Sequence, residues 1–289
     1  MQIVTKDLTF IYNAKTEFAK RALDGVSLTI NEGDFFGIIG HTGSGKSTFV
    51  QHIPALITAS SGTLTVGDTD LSPTGKKEKR NLRSFRAKVG MVFQYPEYQL
   101  FEESVYKEVA FGYRNFFPEA DEKEVAKAVV GALDAVGIDR SLINSSPFEL
   151  SGGQKRRIAI AGVIVSKPEI LILDEPVAGL DPVGKTELMK LLHNLHKSAC
   201  KTIIIVSHDM DEVAENCNRA AIFSEGKIVK VGTIKEIFDD EEKLSSLRLD
   251  VPVTAYLTER LKEYGIELND DFTTEDFIEK VSEKYKLNA

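Results

Sequence analysis

Phe35-Phe-Gly-Ile-Ile-Gly40-His-Thr-Gly-Ser-Gly-Lys-Ser47 joins a continuous apolar run to a loop of three glycines, and a helical stretch follows. An unbroken apolar pentapeptide ending in glycine reads as a parallel strand covered on both faces. The residues after it fit the P-loop spacing Gly-x4-Gly-Lys-Ser/Thr. Gly40, Gly43 and Gly45 leave the backbone free to approach a polyanion closely. The amides of Thr42 to Ser47, at a helix N-terminus, are then expected to ring phosphate groups, with His41, Ser44 and Thr48 in the same cradle. Lys46 brings a point charge to the β- and γ-phosphates, and Ser47 an oxygen for Mg²⁺.

Working outward, two further buried runs, Glu169–Leu173 (EILIL) and Thr202–Val206 (TIIIV), match the first in kind. Helical patterns at Asp121–Val136, Gln154–Val165 and Val183–Lys197 lie between and around them. Buried strands alternating with helices predict a parallel α/β sheet. Upstream, Val4–Tyr12 and Val26–Ile30 alternate apolar and polar residues, which predicts half-exposed antiparallel strands. Residues 95–150 contain no buried run and read as helices and loops inserted in the sheet domain. After Lys230 the buried pattern stops, and Pro252–Tyr264 and Thr273–Tyr285 read as amphipathic helices.

A P-loop needs a carboxylate for its metal, and Asp174 follows the second buried run directly. The adjacent Glu175 is placed to polarise or deprotonate an attacking water. In Leu150-Ser-Gly-Gly-Gln154, Ser151 is a candidate helix N-cap and Gly152 and Gly153 expose amides, which makes a second anion-binding helix start. One nucleotide cannot use both cradles unless a second subunit contributes one of them.

At 289 residues the chain has room for two domains, or for one large core with additions. Its composition, 42% hydrophobic and 28% charged residues, excludes disordered, collagen-like and coiled-coil classes. The longest apolar run is Ile158–Val165. A bilayer span needs a stretch of roughly 20 residues, far more than that run offers. The opening MQIVTKDLTFIY lacks an export signal, and Cys200 and Cys217 alone cannot frame a disulfide scaffold, so a cytoplasmic chain with reduced thiols is expected. Of the net charge of −8, residues 235–289 supply −7. The basic run Lys76, Lys77, Lys79, Arg80, Arg83, Arg86 and Lys88 opposes that tail, and it reads as a solvated helix face in preference to a nucleic-acid footprint. His193 and His196, three apart on a helix, have no cysteine or carboxylate set around them to complete a zinc site.

The P-loop, LSGGQ, ILILDEP, Ala178-Gly-Leu-Asp181 and Ser207-His208-Asp209 stand in the order of the ABC-type ATPases, and residues 1 to about 235 resemble that family. The resemblance implies an α/β fold: a P-loop ABC ATPase core with an antiparallel β subdomain, a helical subdomain over about residues 95–165, and a small helical, acidic C-terminal extension over 236–289. It also implies two ATPase subunits packed head to tail, each ATP held between one subunit's P-loop and the other's Ser151, Gly152, Gly153 and Gln154. Glu175 then matches the catalytic base, His208 the γ-phosphate contact, and Asp181 the cross-dimer loop. Gln94, after the apolar run Val89–Phe93, matches the glutamine that senses metal and water, and Tyr12 the aromatic ring against adenine. The implied metal ligands are Ser47, Asp174 and Gln94, and the implied cofactors ATP and Mg²⁺.

Gln94-Tyr-Pro-Glu-Tyr-Gln-Leu-Phe101, with Val109-Ala-Phe-Gly112 behind it, resembles the ATPases of energy-coupling factor (ECF) transporters, which take up vitamins and metal ions. That likeness leans toward the second of the two ATPases such systems often pair, with a homodimer left open. It implies that Tyr95, Pro96, Glu97, Tyr98 and Gln99 meet a membrane scaffold protein, at the cytoplasmic face of the membrane, beside exchangeable substrate-binding membrane proteins. It implies no nucleic acid, and in that group the C-terminal extension joins the two ATPases. The alternatives are an ATPase of another ABC transporter class or a non-transport ABC ATPase. Repair members need a long coiled coil that residues 50–150 cannot hold, and translation members carry two cassettes. A GTPase switch would need Asn-Lys-x-Asp, which the chain lacks.

Overall fold

The computed structural model describes residues 1–73, 81–264 and 273–285. Along the first half run β1 (Ile3–Tyr12), β2 (Lys20–Ile30), β3 (Phe35–Ile39), α1 (Lys46–His52), β4 (Ser61–Val66), β5 (Thr69–Asp70), α2 (Leu82–Ala87), β6 (Val89–Val92), α3 (Val105–Phe116) and α4 (Glu122–Ala135). Then come α5 (Gly152–Ile164), β7 (Ile170–Asp174), α6 (Pro182–Ser198), β8 (Thr202–Ser207), α7 (Met210–Asn216), β9 (Arg219–Ser224), β10 (Lys227–Thr233), α8 (Ile234–Phe238), α9 (Glu241–Ser246), α10 (Val253–Glu263) and α11 (Thr274–Tyr285).

The central sheet is ordered β10-β9-β3-β8-β7-β6, parallel except for the β10 edge. Both faces of β3, β7 and β8 are covered, which is why they read as continuous apolar runs. In β7, Leu171 and Leu173 enter a core shared with α3, α4, α5 and α6, while Ile170 and Ile172 enter a second core with Phe49, Val50 and the other sheet. That other sheet, β2-β1-β4-β5, is antiparallel and lies over α1. β2 begins at Lys20, upstream of the expected Val26. Register shifts against Leu8, Phe10 and Ile11 break the period-2 alternation there and hide the strand from a periodicity reading.

Between β6 and β7, residues 95–165 carry α3, α4 and α5 and no strand. α5 starts two residues before the expected Gln154, because Ser151 and Gln154 form a reciprocal capping box. After β10, α8 and α9 are additional short helices, and α10 and α11 fall within the two expected spans. Val253 donates from its backbone to Asp211 at 2.7 Å, and Thr274 donates to Glu215, so the C-terminal helices rest on α7.

Of the basic run, Lys76, Lys77, Lys79 and Arg80 lie outside the described residues. Arg83 donates to the Asn115 carbonyl, and Arg86 to those of Pro54 and Ala55 at 3.2 and 2.6 Å. Arg83 therefore braces the C-terminal end of α3, and Arg86 the loop after α1. His193 meets Asn216 at 3.0 Å and His196 the Lys201 carbonyl at 3.1 Å, with both rings against Phe35. Both cysteines are free and buried, and burial pushes the Cys200 thiol up to about 12. Among the described residues no helix is long and apolar enough to cross a membrane.

Candidate active site

The strand order decides which loops meet. β3, β8, β7 and β6 are consecutive neighbours, all parallel, so the segments leaving their C-terminal ends emerge side by side, where open α/β sheets bind ligands. Those segments carry Gly40–Ser47, His208, Asp174 with Glu175, and Gln94 respectively. An open cleft of about 540 Å³ lies over them, lined by Thr42, Gly43, Gly45, Lys46, Ser47, Thr48, Gln94, Asp174, Glu175 and His208, with Tyr12 at its rim.

The loop geometry follows from its glycines. Gly40 has φ 151° and Gly45 φ 105°, and a Cβ on Gly40 would come within 2.2 Å of the Phe223 carbonyl oxygen. Lys46 is buried, and its Nζ donates to the carbonyls of Gly40 at 2.5 Å and His41 at 3.1 Å. Burial pulls its ammonium below the usual lysine range, opposed by the nearby Glu175 and Asp174 carboxylates. Ser44 differs from the rest of the cradle. Its side chain is fully buried beneath the loop and its amide donates to the His41 carbonyl at 3.2 Å, so Ser44 acts from behind and does not line the cleft. Gly40 and His41 also sit outside the cleft lining, the His41 ring folding onto the Thr42 carbonyl at 2.8 Å. Tyr12 is half-exposed, edge-on to Phe10, with its hydroxyl 3.2 Å from Thr48.

Asp174 ends β7 with its side chain buried and Oδ1 without a hydrogen-bond partner. Burial raises its carboxyl above the ordinary aspartate value, and a hydrogen bond with Ser47 opposes the rise. An orphaned buried carboxylate oxygen beside a serine hydroxyl is a donor pair that fits Mg²⁺. Glu175 next to it is held at φ 52°. A non-glycine residue adopts that left-handed conformation only when its surroundings enforce it. The enforcing contact is its amide, which donates to Val206 O at 2.9 Å. The resulting bend turns the carboxylate toward β8, where Oε2 meets His208 Nδ1 at 2.7 Å.

The turn after His208 is braced from below. Ser207 donates to Glu212 at 2.5 Å and accepts from the Asp209 amide at 3.0 Å, and Glu212 Oε1 is buried without a partner. Burial pushes the Glu212 carboxyl up to about 7, with the Asp209 and Glu175 charges adding to the rise. The folded chain therefore keeps a proton that the unfolded chain releases near the ordinary value of 4.5. This group's stabilisation is complete below that pH and is lost as pH rises through about 7. The loss is about 3 kcal/mol. Glu212→Gln, which still accepts from Ser207, is expected to remove it. Thermal melts at pH 5 and pH 8 should show the variant gaining on wild type as pH rises, and parallel pH profiles would refute the assignment.

Ser151, Gly152, Gly153, Gln154 and Asp181 stand elsewhere. None lines the cleft. Ser151 caps α5 by accepting from the Gln154 amide at 3.3 Å, and Gly152 and Gly153 are exposed with open space where a Cβ would be. Asp181 caps α6 by accepting from the Gly184 amide at 2.7 Å. The cleft also has walls that sequence reading missed: Lys20, Arg21 and Ala22 from the start of β2, and Glu225 with Gly226 from the β9–β10 turn. Gly226 donates to Ser44 O at 2.9 Å and so buttresses the phosphate loop. A turn dipeptide between two strands was the only local signal for it.

The chain is similar to known proteins over most of its length. The family model described as ABC transporter matches residues 23–178. The energy-coupling factor transporter ATP-binding protein EcfA2 of Acetivibrio thermocellus is 44% identical over 95% of each chain, and that of Clostridioides difficile 46% identical over 95% of this chain and 94% of its own. Among solved structures, cbiO1 from Clostridium perfringens, titled part of the ABC transporter complex cbiONQ, is 36% identical with TM-score 0.73, covering 89% of this chain and 98% of its own. An ATP-binding cassette solved as a post-hydrolysis dimer with ADP and phosphate is 27% identical with TM-score 0.69, over 80% of this chain and 98% of its own. The chain belongs to the ABC transporter family and is an ATPase of the energy-coupling factor type.

Proposed function

We propose that this chain binds ATP in the cleft above β3, β8, β7 and β6, and that hydrolysis there drives import through a membrane scaffold protein, which passes vitamins or metal ions from exchangeable substrate-binding membrane proteins. Glu175 is the general base: its carboxylate takes the proton of the attacking water. His208 holds Glu175 in place and contacts the γ-phosphate. Lys46 leaves the Gly40 and His41 carbonyls for the β- and γ-phosphates, the amides of the loop ring the phosphate chain, and Tyr12 packs against adenine. Ser47, Asp174 and Gln94 would hold Mg²⁺, which supplies charge neutralisation on the phosphate oxygens.

The observation that carries the reading is the separation of the two anion cradles. The P-loop cleft contains Glu175 and His208 at 2.7 Å from one another, whereas the exposed Ser151–Gln154 helix start lies outside it. A second ATPase subunit, of the same or another sequence, would then use Ser151, Gly152, Gly153, Gln154 and Asp181 to cover ATP, and the acidic extension over 236–289 would help hold the pair together. ATP closes such a dimer and hydrolysis reopens it. The segment Tyr95–Gln99 meets the scaffold through its exposed Tyr95, Tyr98 and Gln99, with Pro96 buried and Glu97 turned inward beneath them, and this reading rests on the exposed Tyr98 and Phe101 rings there. The chain works at the cytoplasmic face of the membrane as a peripheral subunit.

Tagging the chain, solubilising its native membranes in mild detergent and identifying what co-purifies by mass spectrometry tests the assembly. A second ATPase, one scaffold and several small membrane proteins are expected. A conventional permease with a binding protein, or soluble partners only, would overturn the reading.

A further inference from the structure

Arg156, in the second turn of α5, is 4% exposed. Its guanidinium makes four hydrogen bonds to three separate residues. Nε and Nη2 grip the Glu97 carboxylate as a fork, at 3.0 and 2.8 Å. Nη1 donates to Pro176 O and Nη2 to Ala178 O, both at 3.0 Å. Glu97 belongs to the exposed segment proposed above to meet the membrane scaffold. Pro176 and Ala178 belong to the loop between Glu175 and Asp181, and the helix that carries Arg156 is the one Ser151 begins. Tyr95, at φ 53°, brings its ring close to that loop as well: a Cβ on Gly179 would lie 3.4 Å from it.

A buried fork of this kind fixes orientation as well as distance, because a planar guanidinium satisfies a carboxylate and two carbonyls only in one arrangement. We infer that Arg156 is a positioning residue that ties the segment Tyr95–Gln99 to the Ser151 helix start and to the loop after Glu175, so that a partner seated on that segment acts on both anion cradles at once. The inference rests on the proposed scaffold contact. Arg156 does not line the cleft. Its role is to make the three segments move as one piece, the discrete linkage that coupling between distant sites requires.

Amide hydrogen exchange on the free chain and on the complex purified through it, both kept free of nucleotide so that the second ATPase does not close over Ser151–Gln154 and Asp181, reads this linkage. In wild type, assembly is expected to slow exchange in residues 95–101, 151–157 and 175–181 together. Arg156→Lys keeps the charge and loses the fork. In that variant the slowing should persist in 95–101 and fall about tenfold in the other two segments. A merely structural role would speed exchange equally in the free and assembled states and leave the assembly-dependent difference intact, which would overturn the inference. The pair Glu97→Gln with Arg156→Gln leaves no buried charge without its partner and covers the case in which Arg156→Lys does not fold. It should lose the same two signals, and their retention would equally overturn the inference. If wild type shows no slowing in 95–101 on assembly, the scaffold reading itself fails. Slowing there that reaches all three segments in the variants defeats only the role of Arg156.

Discussion

Replacing Glu175 by Gln is expected to leave ATP bound and to cut turnover by about 10²–10⁴-fold, the range a positioned general base supplies. The substitution is close to isosteric. A glutamine oxygen still accepts a hydrogen bond from His208, and the amide bond to Val206 that sets the left-handed bend belongs to the backbone. What the amide side chain cannot do is take a proton from water. The variant should therefore saturate with ATP at near wild-type concentrations and accumulate as the closed, ATP-filled dimer that hydrolysis normally reopens. Equilibrium binding, phosphate release and light scattering with and without ATP check the three parts separately. Wild-type phosphate release would remove Glu175 from the base role. Loss of binding together with turnover would make it a structural residue.

The second large effect concerns the other cradle. Ser151→Arg places a long cation where the capping hydroxyl and two bare glycine amides now form an open, exposed helix start. Because this site lies outside the cleft, ATP affinity at this chain's own P-loop should be unchanged. Turnover of the assembled dimer should fall by about 10²–10³-fold, as when a preorganised anion-binding donor is removed. Lys46→Ala is the contrasting variant. It strips the phosphate-directed cation from the P-loop and is expected to lose binding as well as turnover. Photo-crosslinking of labelled ATP to each subunit distinguishes the two. Loss of label from this chain in Ser151→Arg would mean that both cradles serve one nucleotide within one chain, contrary to the account.

The phosphate loop, Gln94, Asp174, Glu175 and His208 were legible together because each sits where a buried parallel strand ends. The apolar runs before Gly40, Asp174, His208 and Gln94 announce strands by composition alone, and loops at the C-terminal edge of such a sheet are where ligands bind. The capping role of Ser151 was readable for a similarly local reason, since a serine three residues before glutamine at a helix start has one obvious use. Other features depend on chain returning from far away. Ala22 and Gly226 close the cleft, yet they are 204 residues apart in the sequence and neither carries a functional side chain. Glu97 and Arg156 each look like a surface charge, one in a polar loop and the other within a Lys-Arg-Arg run, and only the folded chain buries them against one another. Ser44 fits the phosphate-loop pattern, but the turn directs its hydroxyl inward, a matter of backbone path that spacing does not encode. The short helices α8 and α9 are too brief for a helical period to declare itself.

Hydrolysis at Glu175 of this chain, on the reading proposed above, powers movement of a substrate through its membrane partners. Vesicles reconstituted with the complex purified through this chain, supplied with ATP on the face it occupies, test that claim by uptake of the substrate its small membrane proteins bind. ATP-dependent uptake is predicted for wild type, with uptake at the ATP-free background for Glu175→Gln. Uptake by the Glu175→Gln complex equal to wild type would contradict the account.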